Sequence, residues 1–145
     1  MQTFLPWPDF QRSAGVLDRQ RLGKQRVETM QIARAITDPS YGWQNHPAVS
    51  LWRGHPAALL NYQVAVCTEW VSRGYRDTCL DKTVAILTPH LRGLEPAPPW
   101  LGDEGFHLSH RSNLLRKHPD HYAPLFEEGL PDDVEYFWPV VRVAD

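Results

Sequence analysis

The chain has 145 residues, of which 42% are hydrophobic and 22% charged, and its formal net charge is −2 at pH 7. This length and composition predict a single globular domain spanning residues 1–145. No run of about 20 apolar residues, no basic-then-apolar leader and no disulfide framework is present, so we expect a cytoplasmic protein without a membrane span.

The first eight residues are predicted to form an extended arm. Pro6 and Pro8 disfavour a helix in this segment. Its apolar side chains Phe4, Leu5 and Trp7 are therefore expected to pack on the domain.

The first main helix is predicted to begin at Ser13 or Asp18, either of which could cap it, and to end near Ile36. Arg26 lies on its inward side, where a guanidinium needs a carboxylate or a ligand as partner. The predicted core stripe of this helix consists of Leu22, Met30, Ala33 and Ile36.

The middle of the chain is predicted to contain the central core helix. Residues 41–47 read as an aromatic loop, and a short helix follows from Pro47 to Trp52. A second long helix begins at Pro56 and is closed by Gly74. Its apolar residues occupy much of its circumference, which indicates a buried position.

The last part of the chain is predicted to hold one more main helix. A short helix is expected over residues 81–88, a Pro- and Gly-rich loop over 93–106, and the third main helix from near Ser109 to before Pro119. A single turn follows, and residues 136–139 of the acidic tail should pack back on the core. The predicted fold is all-α: a compact domain of three main helices with irregular loops and an extended N-terminal arm.

One face of the first helix combines a carboxylate with cations. Arg21, Lys24, Gln25 and Glu28 are spaced i, i+3, i+4 and i+7, which places them on one side of a helix. Such a face suits an ionised acid held beside a phosphate-bearing substrate. The alternative is a solvated face on which Lys24 and Glu28 form an ordinary ion pair.

A second basic segment lies near the C-terminal end. The negative net charge argues mildly against a nucleic-acid partner, but residues 1–35 and 107–122 each carry a basic excess. If the two segments meet in space, they form an anion-binding face. The donors of the second segment that suit phosphate oxygens are His110, Arg111, Arg116 and Lys117. The alternative is the polar outer face of an amphipathic helix.

Histidines and aromatic residues supply further candidates. The pairs His107/His110 and His118/His121 are spaced i, i+3, but no further ligand pattern completes a metal site, so we expect no metal and no cofactor. Phosphate contact and helix capping are the expected roles. His46 is a candidate DNA contact, with a packed loop histidine as the alternative. The aromatic side chains on loops that could stack an unpaired base are Tyr41, Trp43 and Trp100.

Several short motifs follow one another in a recognisable order. Residues 17–20 open the first helix, which leads to Glu28, and residues 45–47 precede the central helix. Residues 73–75 and 77–78 follow it directly. This order resembles that of the pyrimidine-dimer DNA glycosylases, the phage and bacterial family also called endonuclease V. The third helix is more loosely similar, through Ser109, Arg111, Leu114, Pro119 and Tyr122.

The resemblance implies a mostly helical enzyme that cleaves the N-glycosidic bond of a damaged pyrimidine. In that family the N-terminal amine attacks C1′ of the sugar and forms a Schiff base, while the glutamate assists. An α-amino group has a reference pKa of about 8, so a useful fraction is neutral at physiological pH. The implied catalytic groups are the Met1 amine and Glu28. The implied phosphate ligands are Arg21, Lys24 and Arg26.

The chain departs from the family pattern at two places. Gln2 is bulky, so we expect Met1 to be retained, and the nucleophile is then either the Met1 amine or absent. The family has an arginine directly before the glutamate, whereas this chain has Val27 there and Arg26 one place earlier.

The sequence therefore predicts a monomeric DNA glycosylase whose lyase activity depends on the Met1 amine, acting on damaged or modified duplex DNA. One alternative is a glycosidase for a nucleoside or modified nucleotide, which the net charge favours. The other is a non-catalytic nucleic-acid- or protein-binding module. Its sign would be a buried, structurally paired Glu28 with no cleft beside it.

Overall fold

The structure is a computed structural model that describes residues 1–139. This part of the chain contains seven α-helices, one turn of 3-10 helix over Thr88–His90, and no strand. The predicted all-α class is therefore confirmed, and α2, α4 and α6 are its three longest helices. The α-helices are α1 (Phe10–Val16), α2 (Arg19–Thr37), α3 (Pro47–Trp52), α4 (Pro56–Ser72), α5 (Cys79–Leu87), α6 (Glu104–Lys117) and α7 (Pro119–Tyr122).

Helix α2 begins where one of the two predicted caps stands. The Asp18 carboxylate accepts a hydrogen bond from the backbone N–H of Arg21, which satisfies one of the free donors of the first turn. Ser13 is not a cap. It lies inside the additional helix α1, whose cap is Asp9, and its hydroxyl donates to the Trp7 carbonyl.

The core stripe of α2 differs in part from the predicted one. Leu22 and Ala33 are buried as expected, but Met30 and Ile36 are only half-buried. Polar side chains take part of the inward face, because the N-terminal arm runs along it. The buried residues of α2 are Leu22, Gln25, Glu28, Thr29, Ile32, Ala33 and Ala35.

Helix α4 is the central core helix, as predicted. It begins at Pro56, whose fixed φ and missing N–H suit a first helical position. Gly74, with φ of 96°, follows its C-cap and turns the chain away. Helices α1, α2 and α5 pack around it, over fully buried Leu59, Tyr62 and Val66.

The third main helix starts earlier than the sequence indicates. Asp103 caps α6 by accepting from the Phe106 N–H, so the helix gains a turn before Ser109, and the predicted loop over 93–106 is shorter. Helix α7 corresponds to the predicted single turn. Tyr136 and Trp138 pack around the His110 ring, which confirms that this part of the tail returns to the core. The end of the acidic tail lies outside the described residues.

The N-terminal arm is extended and packed, also as predicted. Phe4 and Leu5 are buried and Trp7 is half-buried. Within residues 1–139 no helix is both long and apolar enough to cross a lipid bilayer.

Candidate active site

The arm brings the Met1 amine to the carboxylate of Glu28. The amine nitrogen lies 3.9 Å from Glu28 Oε1, and Lys24 Nζ lies 4.0 Å from the same oxygen. Both distances exceed the hydrogen-bond range. The carboxylate therefore faces two positive groups without a direct hydrogen bond to either.

Gln25 holds the arm in place on α2. Its Oε1 accepts from the Phe4 N–H at 2.9 Å, and its Nε2 donates to the Gln2 carbonyl at 2.9 Å and to the Thr29 hydroxyl at 3.0 Å. The side chain is fully buried. From its place on the substrate-facing side of the helix, Gln25 is also a predicted DNA ligand, but in this structure its buried amide is bonded to the arm and to Thr29.

Two further core side chains, Tyr62 and Trp52, also form hydrogen bonds to the arm. The Tyr62 hydroxyl donates to the Phe4 carbonyl at 2.6 Å, and Trp52 Nε1 donates to the Thr3 hydroxyl at 3.0 Å. Burial raises the pKa of Tyr62, and the nearby Glu28 charge raises it further. The phenol therefore stays protonated and keeps its donor.

Two histidines one turn apart on α6 bind the Leu5 peptide from the other side. His110 Nδ1 accepts from the Leu5 N–H at 3.1 Å, and His107 Nδ1 lies 2.8 Å from the Leu5 carbonyl oxygen. His107 Nε2 accepts from the Gly102 N–H at 3.0 Å, so the proton of a neutral His107 sits on Nδ1 and is donated to Leu5. A neutral His110 carries its proton on Nε2.

The environment of both rings favours these neutral forms. Burial, followed by the charges of His107 and Lys117, lowers the pKa of His110 to about 3. Burial also lowers the pKa of His107. His110 is predicted above as a DNA ligand and the pair as phosphate contacts. The structure instead encloses both rings, because the arm backbone needs a donor and an acceptor there.

An open cleft lies beside the amine and the carboxylate. Its volume is about 330 Å³. Cations from both basic segments line it, so the two segments meet in space at this cleft. The lining residues are Met1, Gln2, Phe4, Gln20, Arg21, Lys24, Glu28 and Lys117.

The cations of the cleft act on one another. Partial burial, followed by the charges of Arg21, Arg116 and Lys24, lowers the pKa of Lys117. Arg21 is anchored at 3.2 Å by the carboxylate of Asp18. Burial raises the pKa of that carboxyl, but hydrogen bonds from Tyr122 and Arg21 outweigh it and hold the pKa below its usual value. The cleft is therefore a concentrated positive surface around one carboxylate.

Three predicted DNA ligands lie elsewhere. Arg26 is paired with Asp77 at 2.6 Å, which supplies the carboxylate partner that its inward position requires. Arg111 is buried, where it donates to the Pro6 carbonyl and pairs with Glu104 on the surface. Both guanidinium groups are engaged inside the fold, whereas the DNA-contact prediction needs them free at the surface. Arg116 is exposed and donates to the carbonyl of Asp132 and to the side chain of Asn113.

His46 caps α3, and the charge of the N-terminal amine influences its pKa. Its Nδ1 accepts from the Ala48 N–H at 3.1 Å. Burial, and then the positive charge of the N-terminal amine, lower its pKa. The ring is half-buried, and its contact with DNA stays a prediction.

Sequence reasoning missed Tyr62, Trp52 and the positioning role of the histidine pair. The only local signal was the i, i+3 spacing of His107 and His110, which does not reveal what the rings bind. Their partner, Leu5, is 105 residues away from His110.

Comparison with known families agrees with this geometry. The profile of the pyrimidine dimer DNA glycosylase family matches residues 1–83, which is more than half of the chain. The chain belongs to this family. The matched part contains the arm, Met1 and Glu28, and membership makes the protein a DNA glycosylase of DNA repair, with DNA as substrate. No curated protein and no solved structure matches the chain.

Proposed function

We propose that this protein releases a damaged pyrimidine from duplex DNA and then cleaves the strand as an AP lyase. The observation that carries the proposal is the 3.9 Å distance between the Met1 amine and Glu28 Oε1 in an open cleft. Family membership supports the class of reaction. The geometry supports the assignment of roles.

The Met1 amine is the proposed nucleophile. An ammonium has no lone pair, so the amine must lose a proton before it attacks. Glu28 Oε1, 3.9 Å away, can accept that proton through one bridging water or after the two groups close up on the bound substrate. The amine nitrogen then bonds to C1′ of the sugar. The N-glycosidic bond breaks, and its electron pair leaves with the base, which takes up a proton.

Glu28 has two further proposed tasks. Its negative charge stabilises the positive charge that develops on the sugar as the base departs. The bonded nitrogen then loses a proton and its lone pair forms a protonated C1′=N imine, while the C1′–O4′ bond breaks and O4′ takes up a proton. A carboxylate beside C1′ can then remove a C2′ proton, which expels the 3′ phosphate by elimination.

The cations around the cleft are the proposed phosphate ligands. Arg21, Lys24 and Lys117 lie on its wall and belong to different ends of the chain. Contacts of this kind position a duplex without reading its sequence. The non-catalytic alternative predicts a buried Glu28 with no cleft beside it. Glu28 is buried, but the cleft opens beside it, and this favours the catalytic proposal.

Replacement of Glu28 by glutamine tests the proposal. On a duplex that carries one cyclobutane pyrimidine dimer, we expect Glu28→Gln to lower the rate of forming alkali-labile sites by about 10²–10⁴-fold, because general acid–base catalysis has that size. Binding to the same duplex should persist, since the cations remain.

Glu128→Gln is the matched control, because Glu128 is an exposed glutamate outside the cleft. It should leave the rate unchanged. Full activity of Glu28→Gln, or a wild-type protein that leaves the dimer intact, contradicts the proposal.

A further inference from the structure

The aromatic loop before α3 presents one large side chain to solvent. Trp43 is 54% exposed. Of the other loop aromatics that could stack a base, Trp100 is buried and donates its indole N–H to the Leu51 carbonyl at 2.8 Å. Tyr41 packs against the core. The structure therefore singles out Trp43.

The backbone of Trp43 is held in an unfavourable conformation. Its φ is 67°, in the left-handed region, and among residues 1–139 it is the only non-glycine residue with positive φ. Such a conformation in a bulky residue persists only where surrounding contacts impose it, and it is often found at functional sites.

Gln44 supplies those contacts. Its side-chain amide donates to the carbonyls of Ala35, Asp38 and Tyr41 at 2.8–3.0 Å, which ties the loop to the C-terminal end of α2. Arg53 in turn donates to the Gln44 carbonyl at 2.9 Å. These bonds hold the loop backbone, but none of them involves the Trp43 ring. The ring is exposed and is therefore available to a ligand.

The loop is tied to α2, the helix that carries Glu28 of the candidate active site. The Trp43 ring meets the His46 ring edge-on with centroids 5.8 Å apart, and the charge of the Met1 amine acts on His46. Gln44 bonds to Ala35, which follows Glu28 by seven residues and therefore lies about 10 Å further along α2. Arg21 and Lys24 lie on the opposite side of Glu28 along the same helix.

This order along α2 matches the parts that a base-opening enzyme requires. Cations that suit phosphates come first, the amine and carboxylate follow, and an exposed aromatic ring on a tightly bonded loop comes last. Opening a duplex unstacks bases, and an exposed indole can replace the lost stacking for any base because every base has a flat π-face.

We propose that Trp43 stacks on a base that loses its partner when the duplex opens at the cleft. The inference rests on the proposed function, because it assumes that DNA occupies the cleft. It adds a DNA-binding residue in the loop before α3, which contains neither the proposed catalytic groups nor the proposed phosphate ligands.

The test uses binding alone, in the Glu28→Gln background, so that the DNA stays intact. Trp43→Asn removes the ring, and asparagine tolerates the left-handed backbone better than most residues. Trp43→Phe keeps a flat ring and is the matched control. The probe is a duplex with one pyrimidine dimer and 2-aminopurine placed in turn opposite or beside it.

We expect Trp43→Asn to weaken binding by about 5–150-fold, the range of one lost base–aromatic stack. Trp43→Phe should stay within a few-fold of the parent. Stacking should also quench 2-aminopurine at one position, and the quenching should disappear in Trp43→Asn. Circular dichroism and thermal unfolding of each variant confirm that the fold is kept.

Two results would overturn the inference, and they separate it from the proposed function. If the parent binds the duplex and Trp43→Asn binds equally well without loss of quenching, the stacking role fails alone. If the parent has no salt-dependent affinity for the duplex, the proposed function and the stacking role fail together.

Discussion

Helices α2 and α6 both carry the polar and basic clusters that the sequence assigns to phosphate binding, but they use them differently. On α2, Arg21 and Lys24 face the cleft, and Lys24 is 72% exposed. On α6, His110 and Arg111 are buried and bind the arm. Only Lys117, at the last turn, reaches the cleft.

The difference shows that residue type alone does not tell whether a polar side chain binds a ligand or forms hydrogen bonds within the protein. The arm enters the core with free peptide groups, and a buried peptide group needs a partner. Side chains of α6 supply these partners, as does Gln25 on α2. Substitutions of residues that bind the chain should lower folding stability, whereas substitutions of residues that face the cleft should change DNA binding.

Loss of the Asp77 carboxylate should have the largest effect. Asp77 pairs with Arg26 at 2.6 Å, with side chains that are only 6% and 14% exposed. Asp77→Ala leaves a buried guanidinium without its partner, and we expect a loss of about 3–5 kcal/mol in unfolding free energy. Urea denaturation measures it, with exposed Asp133→Ala as control. A loss of unfolding free energy below about 1 kcal/mol would show that the Arg26–Asp77 pair is not needed for folding.

Loss of the His110 acceptor should release the arm. His110→Phe keeps a ring but leaves the buried Leu5 N–H without a partner, which costs about 1–3 kcal/mol. His110→Asn offers an acceptor near the Nδ1 position and should restore much of this loss. The rate of base release should follow the same order, because the arm positions the Met1 amine.

Methionine NMR shows whether the arm itself moves. The chain has two methionines, so methyl-labelled protein gives one signal from Met1 and one from Met30 in α2. In His110→Phe the Met1 signal should shift to the position of an exposed methionine, while Met30 stays. An unmoved Met1 signal would show that His110 is not needed to dock the arm.

The pH dependence of stability should report His110 as well. Its pKa is about 3 in the folded protein, against a reference of about 6.5 for histidine. The unfolded chain therefore binds the extra proton between these values, and stability falls as pH falls from about 6.5 towards 3. The loss attributable to His110 is about 1.4 kcal/mol per pH unit.

Comparison with His110→Asn isolates this contribution. Burial also lowers the pKa of His107 and His46, so these two histidines contribute to the pH dependence of stability in the wild-type protein and in His110→Asn alike. Urea denaturation between pH 6.5 and 4.5 avoids the titration of Asp18 and Asp77, whose pKa values are lowered. Equal slopes in the two proteins would mean that His110 is protonated in the fold.

Cations of the cleft should affect binding and barely affect folding. We expect Lys24→Ala to change stability by less than about 0.5 kcal/mol and to lower the salt slope of duplex binding by about 0.9, the value of one phosphate contact. Exposed Lys82→Ala on α5 is the control and should change neither. A Lys24→Ala variant with an unchanged salt slope would remove Lys24 from the DNA-binding face.

Local signals predicted much of the fold. Asp18 caps α2, prolines begin α3 and α4, and Gly74 closes α4, because each of these residues acts on the backbone beside it. Helix α1 and the first turn of α6 were missed. Their caps are Asp9, which follows Pro8, and Asp103, which follows Gly102. A proline or glycine beside an aspartate is typical of a loop.

The candidate site was predictable only in outline. The spacing on α2 placed Arg21, Lys24 and Glu28 on one face, and the structure opens a cleft there. The burial of Gln25 and His110 could not be read from spacing, because their partners belong to an arm 21 and 105 residues away. Contacts of that range depend on the whole fold.

Borohydride trapping on abasic duplex DNA tests the central claim most directly. Reduction converts an imine between the protein and the sugar into a stable bond, and peptide mass spectrometry locates it. We predict a covalent complex attached at the Met1 amine and absent from Lys24 and Lys117, the other amines of the cleft. Attachment at either lysine, or no covalent complex, would contradict the assignment of Met1 as nucleophile.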